Sequence, residues 1–240
     1  MGEKTEIPWT DSSWNPWTAC TKVSPGCQHC YMFREKTRWG KDPTKVTRSS
    51  PPTFKAPLKW KEPRMIFVCS WSDFFHVDAD SWRNEAWEIM RKAPQHTYQV
   101  LTKRPERIIS CTPPDILKTV PHLWLGVTAE NQEFADKRLP ALREAPPSEV
   151  RFVSCEPLLG PLDLTPYISW LQWIIVGGES GSGCRPMDPA WAISIKNQCQ
   201  AGKVPFFFKQ HGGTRKCTCH HAYGCCLLEG ALYKGLPLKP

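Results

Sequence analysis

The chain has 240 residues, a net charge of +8 and a pI near 8.9. That length suits one large α/β domain or two small ones, and the basic balance favours an anionic partner such as nucleic acid or a nucleotide. No apolar run approaches the ~20 residues that span a bilayer, and the start, M-G-E-K-T-E-I-P-W, carries no signal-peptide core. A cytoplasmic, reducing setting without a membrane partner is therefore expected, where twelve cysteines argue for metal or cluster ligation over disulfides.

In chain order, the first informative segment is C-T-K-V-S-P-G-C-Q-H-C-Y, which sets Cys20, Cys27 and Cys30 directly before Tyr31. Residues 40–62 follow as a basic, apolar-poor excursion, read as a long surface loop. Residues 64–69 form a short apolar strand. Residues 80–93 have helical spacing, with Trp82, Ala86, Ile89 and Met90 on one face and Asp80 as the N-cap. Strands are expected at 97–101, 123–127, 150–155, 171–176 and 204–208. Helices are expected at 105–110, 131–145 and 189–201, the last closed by Gly202 as a C′ glycine. Strands without strict alternation, separated by helices, imply parallel βαβ units buried on both faces.

Such units fit an α/β fold: a partial or complete (β/α) barrel of six to seven parallel strands, or an open doubly wound sheet. In both, chemistry lies beyond the carboxyl ends of the strands. Polar groups recur there: Ser70, Ser72 and Asp73; Thr102, Lys103 and Arg104; Thr128, Glu130 and Asn131; Ser154 and Glu156; Gly177, Gly178 and Glu179; Lys209, Gln210 and His211.

Three thiolates can hold three irons of a four-iron cluster and leave the fourth without a protein ligand. A structural zinc would need a fourth protein ligand. His29 could supply it, although its place between Cys27 and Cys30 would cramp the chelate. The tail, C-T-C-H-H-A-Y-G-C-C, is the densest ligand set: Cys217, Cys219, His220, His221, Cys225 and Cys226. It fits zinc or a second iron–sulfur cluster, with Cys184 or Cys199 able to join, and the residue types do not choose between them. Cys69, Cys111 and Cys155 read as core thiols. On this pattern, residues 1–213 form the barrel domain and residues 214–240 a Cys/His-rich metal-binding extension.

Trp9, Trp14, Trp17, Trp39, Trp60 and Trp71 crowd the first third of the chain among many lysines and arginines. Most should be core, and some could stack a base beside phosphate-binding cations.

The cysteine motif followed by an aromatic resembles the radical S-adenosylmethionine (SAM) superfamily, with six residues here between the first two cysteines where three are usual. The strings W-N-P-W-T-A-C, P-G-C-Q-H-C-Y, S-D-F-F-H, L-T-K-R-P, G-V-T-A-E, S-C-E-P-L-L-G-P and G-G-E-S-G resemble a phage- and prokaryote-borne family of radical-SAM-like proteins of unassigned function; spore photoproduct lyase is a more distant likeness. The resemblance implies a partial (β/α) barrel, a [4Fe-4S] cluster on Cys20, Cys27 and Cys30, and SAM bound at the open iron. It also implies a reductase or other electron donor, reductive cleavage to a 5′-deoxyadenosyl radical, and hydrogen abstraction from substrate. By position, Tyr31 would lie near the adenine, Ser70, Ser72 and Asp73 near the methionine amine, and Glu130 or Asn131 near the ribose. Lys103 and Glu179 would face substrate and Glu156 either cofactor or substrate, and the basic charge favours a nucleic acid or nucleotide as that substrate. The alternative is a non-catalytic, zinc-containing nucleic-acid-binding protein.

Overall fold

The computed structural model describes residues 3–218 and 222–237. Seven parallel strands form one sheet: β1 (Ser12–Trp14), β2 (Met65–Val68), β3 (Thr97–Thr102), β4 (Leu123–Thr128), β5 (Val150–Cys155), β6 (Trp173–Gly177) and β7 (Phe206–Gln210). Each strand neighbours the next in the chain, from β1 at one edge to β7 at the other. That order decides between the two architectures the sequence allowed. A doubly wound sheet reverses direction at a switch point; a sequential parallel order with free edges is the partial (β/α) barrel.

The chain divides into two compact units. The first comprises Met1–Val23, Met32–Gly126 and Ala141–Glu149; the second comprises Ser24–Tyr31, Val127–Pro140 and Val150–Pro240.

In the first unit, β1 pairs with β2 from Ser12↔Ile66 to Trp14↔Val68, and β2 with β3 from Met65↔Thr97 to Val68↔Val100. The long helices are α1 (Tyr31–Arg38), whose first residue, Tyr31, belongs to the second unit, and α2 (Asp80–Lys92). The core is aromatic: Trp14, Trp17, Phe54, Phe74, Trp87 and Tyr98 are fully buried. Each indole N–H finds a backbone oxygen, Trp14 on Phe54 (3.0 Å), Trp17 on Asp73 (3.1 Å) and Trp87 on Cys111 (2.9 Å), so the rings bury area without stranding a donor.

Three expectations change here. Ala79, not Asp80, is the N-cap of α2; the Asp80 carboxylate instead accepts from Arg83 and Arg107. Trp87 occupies the core face of α2 and Trp82 is half-buried. Residues 40–62 are not one loose excursion. Thr47–Arg48 pairs antiparallel with Trp17–Thr18, Pro51–Phe54 forms a helical turn, and Phe54 and Trp60 are buried. Isolated apolar residues without a period gave no sign of this.

In the second unit, β5 pairs with β6 from Phe152↔Trp173 to Cys155↔Val176, and β6 with β7 from Ile174↔Phe206 to Val176↔Phe208. The helices are α3 (Gln132–Arg143), whose last residues belong to the first unit, and α4 (Pro189–Gly202). Asp188 caps α4 by accepting from the Ala190 N–H at 2.8 Å, with proline at its first position. At its other end Lys203, not Gly202, takes the left-handed conformation (φ 56°). Gly202 answers a different demand, since a Cβ there would stand 2.6 Å from Ile168 Cγ1. Beyond β7, Tyr233 and Gly235 return to pair with Phe208 and Phe206 at 2.9 Å each, covering part of the edge strand.

Burial explains the thiols. Cys69, Cys155 and Cys199 are buried, Cys111 half-buried. Burial raises the Cys69 and Cys155 thiols well above the ordinary cysteine value and pushes Cys199 up to about 12, which is the behaviour of core thiols.

Candidate functional site

In the first unit the site grows from the carboxyl ends of β1, β2 and β3. Two residues other than glycine hold left-handed backbone there, Ala19 (φ 81°) and Cys69 (φ 64°). Such strain persists only where the surroundings fix it. Ala19 N–H donates to the Trp71 carbonyl (3.0 Å), and the Ser72 hydroxyl donates to the Ala19 carbonyl (2.5 Å). Asn15 holds the same turn: its Oδ1 accepts from Trp71 N–H at 2.7 Å and its Nδ2 donates to Ser70 Oγ at 3.0 Å. Ser70 and Ser72, two candidates for the methionine amine, thus fasten the backbone that leads into Cys20.

Asp73 is nearly buried. Its Oδ1 accepts from the Thr102 hydroxyl (2.7 Å) and Phe75 N–H (2.9 Å), its Oδ2 from Lys103 N–H (2.9 Å), and Arg104 pairs with it at 3.2 Å. Arg104 then donates to Thr21 O (2.9 Å), Thr21 Oγ1 (2.8 Å) and Cys20 Sγ (3.5 Å). A buried aspartate therefore aims a guanidinium at a cysteine sulfur. Burial works against the Arg104 charge, but Asp73 and Cys20 more than restore it, so its pKa lies above the ordinary arginine value. Arg104 was legible only as one more polar residue at a strand end; its partner Cys20 lies 84 positions away in the chain. The Lys103 side chain is half-buried beside this network.

In the second unit, Pro25–Cys27 forms a 3-10 turn that carries Cys27, and the Cys30 N–H donates back to the Cys27 carbonyl at 3.4 Å. The Ser24 hydroxyl lies 3.7 Å from Cys27 Sγ and donates to Glu130 Oε1. Glu130 is fully buried, and its Oε2 accepts from Arg138 Nη1 at 2.7 Å. Gly26 makes this closeness feasible, because a Cβ on it would stand 2.3 Å from Glu130 Oε1. Glu130, expected near a ribose, has both oxygens engaged in fastening the cysteine turn. Asn131, the other ribose candidate, accepts from Phe134 N–H at 3.1 Å in the first turn of α3. Tyr31 is exposed.

Glu156 is half-buried, with Ser154 Oγ donating to Oε2 (3.0 Å) and Lys209 Nζ at 2.9 Å from Oε1. Glu179 is nearly buried and accepts from Arg185 Nε (2.9 Å) and Nη2 (2.6 Å). Burial raises the Glu179 pKa, but the Arg185 hydrogen bonds outweigh it and the net shift is downward. Arg185 also donates to Pro25 O (3.0 Å), so it bridges Glu179 to the cysteine turn. Gly178 lets the chain pass itself, since a Cβ there would lie 1.9 Å from the His211 carbonyl oxygen. His29 packs against Gly183, 3.1 Å from where a Cβ would be.

Of the tail ligands, Cys219, His220 and His221 lie outside the described residues. Cys217 and Cys225 are half-buried and Cys226 is buried. The turn is held by Cys217 N–H on Ala222 O (2.8 Å) and Gly224 N–H on Arg215 O (3.0 Å). Burial first, then the nearby Lys234, Cys225 and Cys217, shape the Cys226 thiol, with a net rise.

Among the described residues there is no disulfide, and no group of three His, Cys, Asp or Glu side chains is gathered to hold a metal ion. No helix among them is long and apolar enough to cross a membrane.

The fold and the thiol-bearing loops define an α/β protein of the partial-barrel class. The chain belongs to a family described as a protein of unknown function (DUF5131), whose model matches residues 4–237. No curated protein and no solved structure matches the chain.

Proposed function

We propose that this protein is a radical-SAM-type enzyme in which Cys20, Cys27 and Cys30 hold a [4Fe-4S] cluster. The observation that carries the reading is three half-buried cysteines, none of them in a disulfide, in one short stretch after β1, the first strand of a partial barrel. The donor chemistry fits: thiolates suit iron–sulfur clusters, and three leave one iron open. When bound, the cluster with SAM supplies one-electron cleavage of the cofactor and a species that abstracts hydrogen.

The chain's own residues do the positioning. Asp73 and Arg104 orient the Cys20 sulfur; Ser70, Ser72 and Asn15 hold the strained turn before it; Glu130, Arg138 and Ser24 fix the turn that carries Cys27 and Cys30. Tyr31 supplies an exposed ring beside Cys30 for the adenine. Lys103, Glu156 and Glu179 are the charged groups proposed to meet substrate. Among them Glu156, held by Ser154 and Lys209, is the carboxylate proposed to hold or move a proton. The basic charge supports an anionic substrate, a nucleic acid or nucleotide. A reductase or other one-electron donor and a reducing, cytoplasmic setting belong to the same reading. So does a second metal site, zinc or iron–sulfur, on Cys217, Cys219, His220, His221, Cys225 and Cys226.

Anaerobic purification tests the reading. A brown protein that releases 5′-deoxyadenosine from SAM and dithionite is expected, with Cys27→Ala abolishing both colour and release. A colourless protein with zinc at these cysteines would overturn it and favour the non-catalytic nucleic-acid-binding alternative. Metal analysis of a variant with Cys217, Cys225 and Cys226 all changed to serine identifies the tail's metal.

A further inference from the structure

Of the six tryptophans in the first third of the chain, Trp9, Trp14, Trp17 and Trp60 are buried. Trp39 and Trp71 behave differently. Their rings stack at 5.3 Å with only 9° between planes, and Trp39 is 54% exposed. Two large apolar rings held parallel at a surface leave the outer indole face to water. Burial of such a face is worth more than its exposure, so a ligand with a flat aromatic face has something to gain there.

Both rings stand on anchored backbone. Trp39 follows directly on α1, and its N–H donates to Glu35 O and Lys36 O at 3.1 Å. The Trp71 backbone is clamped between Asn15 and Ala19, in the turn that leads into Cys20. A rigid platform loses little entropy when a partner stacks on it.

The surroundings are cationic. From Arg34 to Arg48 there are six basic residues and two acidic ones. The acidic pair is spoken for: Glu35 lies 3.6 Å from Arg34, and Asp42 accepts from Thr44. Arg38, Lys41 and Lys45 are exposed on either side of Trp39 in the chain. Aromatic faces with flanking cations suit a chain of anionic links carrying flat bases. A duplex hides its base faces inside the stack, so the fit is to unpaired bases.

We propose that Trp39 and Trp71 form a base-stacking platform for single-stranded nucleic acid, with Arg38, Lys41 and Lys45 as its phosphate contacts. This rests on the enzyme reading for its purpose, as it names the substrate class, but not for its measurement. Binding of a 5′-fluorescein-labelled dT20 or rU20 to the full chain is followed by anisotropy, against a duplex of the same length. Trp39→Ala is expected to weaken single-strand binding at least about fivefold, and Trp39→Phe to retain most of it. Replacing Arg38, Lys41 and Lys45 by alanine is expected to flatten the dependence of log Kd on log salt. Circular dichroism and thermal melts confirm that each variant folds; Trp39, being exposed, leaves the core intact. The same titrations on Cys27→Ala are expected to match the parent. If the unaltered protein binds the oligonucleotide yet releases no 5′-deoxyadenosine, the enzyme reading falls and the platform stands. Absence of oligonucleotide binding up to about 100 μM at about 50 mM salt, tighter binding of the duplex, or unchanged affinity in Trp39→Ala would overturn the platform.

Discussion

Arg138→Met is the most incisive perturbation of the cysteine turn. Arg138 Nη1 donates to Glu130 Oε2 at 2.7 Å and to Thr128 O at 2.8 Å, and the two charged side chains are 3% and 0% exposed. Removing the guanidinium leaves a buried carboxylate whose remaining side-chain partner is the Ser24 hydroxyl. Breaking one side of such a pair costs about 3–5 kcal/mol. Adding Glu130→Gln removes the stranded charge, so the double variant is expected to be more stable than Arg138→Met alone. Urea denaturation gives the free energies, and iodoacetamide labelling of Cys27 with peptide mapping reports the turn directly, with faster labelling expected in Arg138→Met. If Arg138→Met costs under about 1 kcal/mol, or if Glu130→Gln gives no recovery, the buried pair is not what holds the turn.

Gly178→Ala would place a Cβ 1.9 Å from the His211 carbonyl oxygen, a backbone atom that cannot step aside; little soluble folded protein is expected on expression, and a normal yield and melt would contradict the close approach. Gly26→Ala meets the Glu130 carboxylate at 2.3 Å and is expected to cost about 1–3 kcal/mol, read by urea denaturation. His76 Nδ1 accepts from the Asp78 N–H at 3.2 Å, and burial first, then Arg104, holds its pKa below the ordinary 6.5. Burial also lowers His96. Both rings favour the folded state when neutral, so their contribution is present above about pH 6.5 and lost as pH falls through the folded values. Thermal midpoints should drop between about pH 7.5 and 5.5, and His76→Gln should lessen the drop. Arg104→Met removes a cation and hydrogen-bond donor from the Cys20 sulfur; if Cys20 ligates the proposed cluster, a more negative midpoint potential is expected by EPR-monitored titration, and an unchanged potential would show that Arg104 serves only Thr21 and Asp73.

The sequence determined what local periodicity can encode. Runs such as R-F-V-S-C and W-I-I-V-G, too apolar for a half-solvated strand, read as β5 and β6 buried on both faces, and the stretches between them read as crossovers. The cluster candidates Cys20, Cys27 and Cys30 were legible because ligand spacing is a property of one short segment. The tertiary structure decided what depends on residues distant in the chain. It chose the sequential sheet order over a doubly wound one. It sorted the six tryptophans of the first third into four buried and a stacked pair. It tied Cys20 to Arg104, and Ser24 to Glu130 across 106 positions. Those pairings rest on hydrogen bonds and burial between side chains that share no period, so they exist only once the chain has folded.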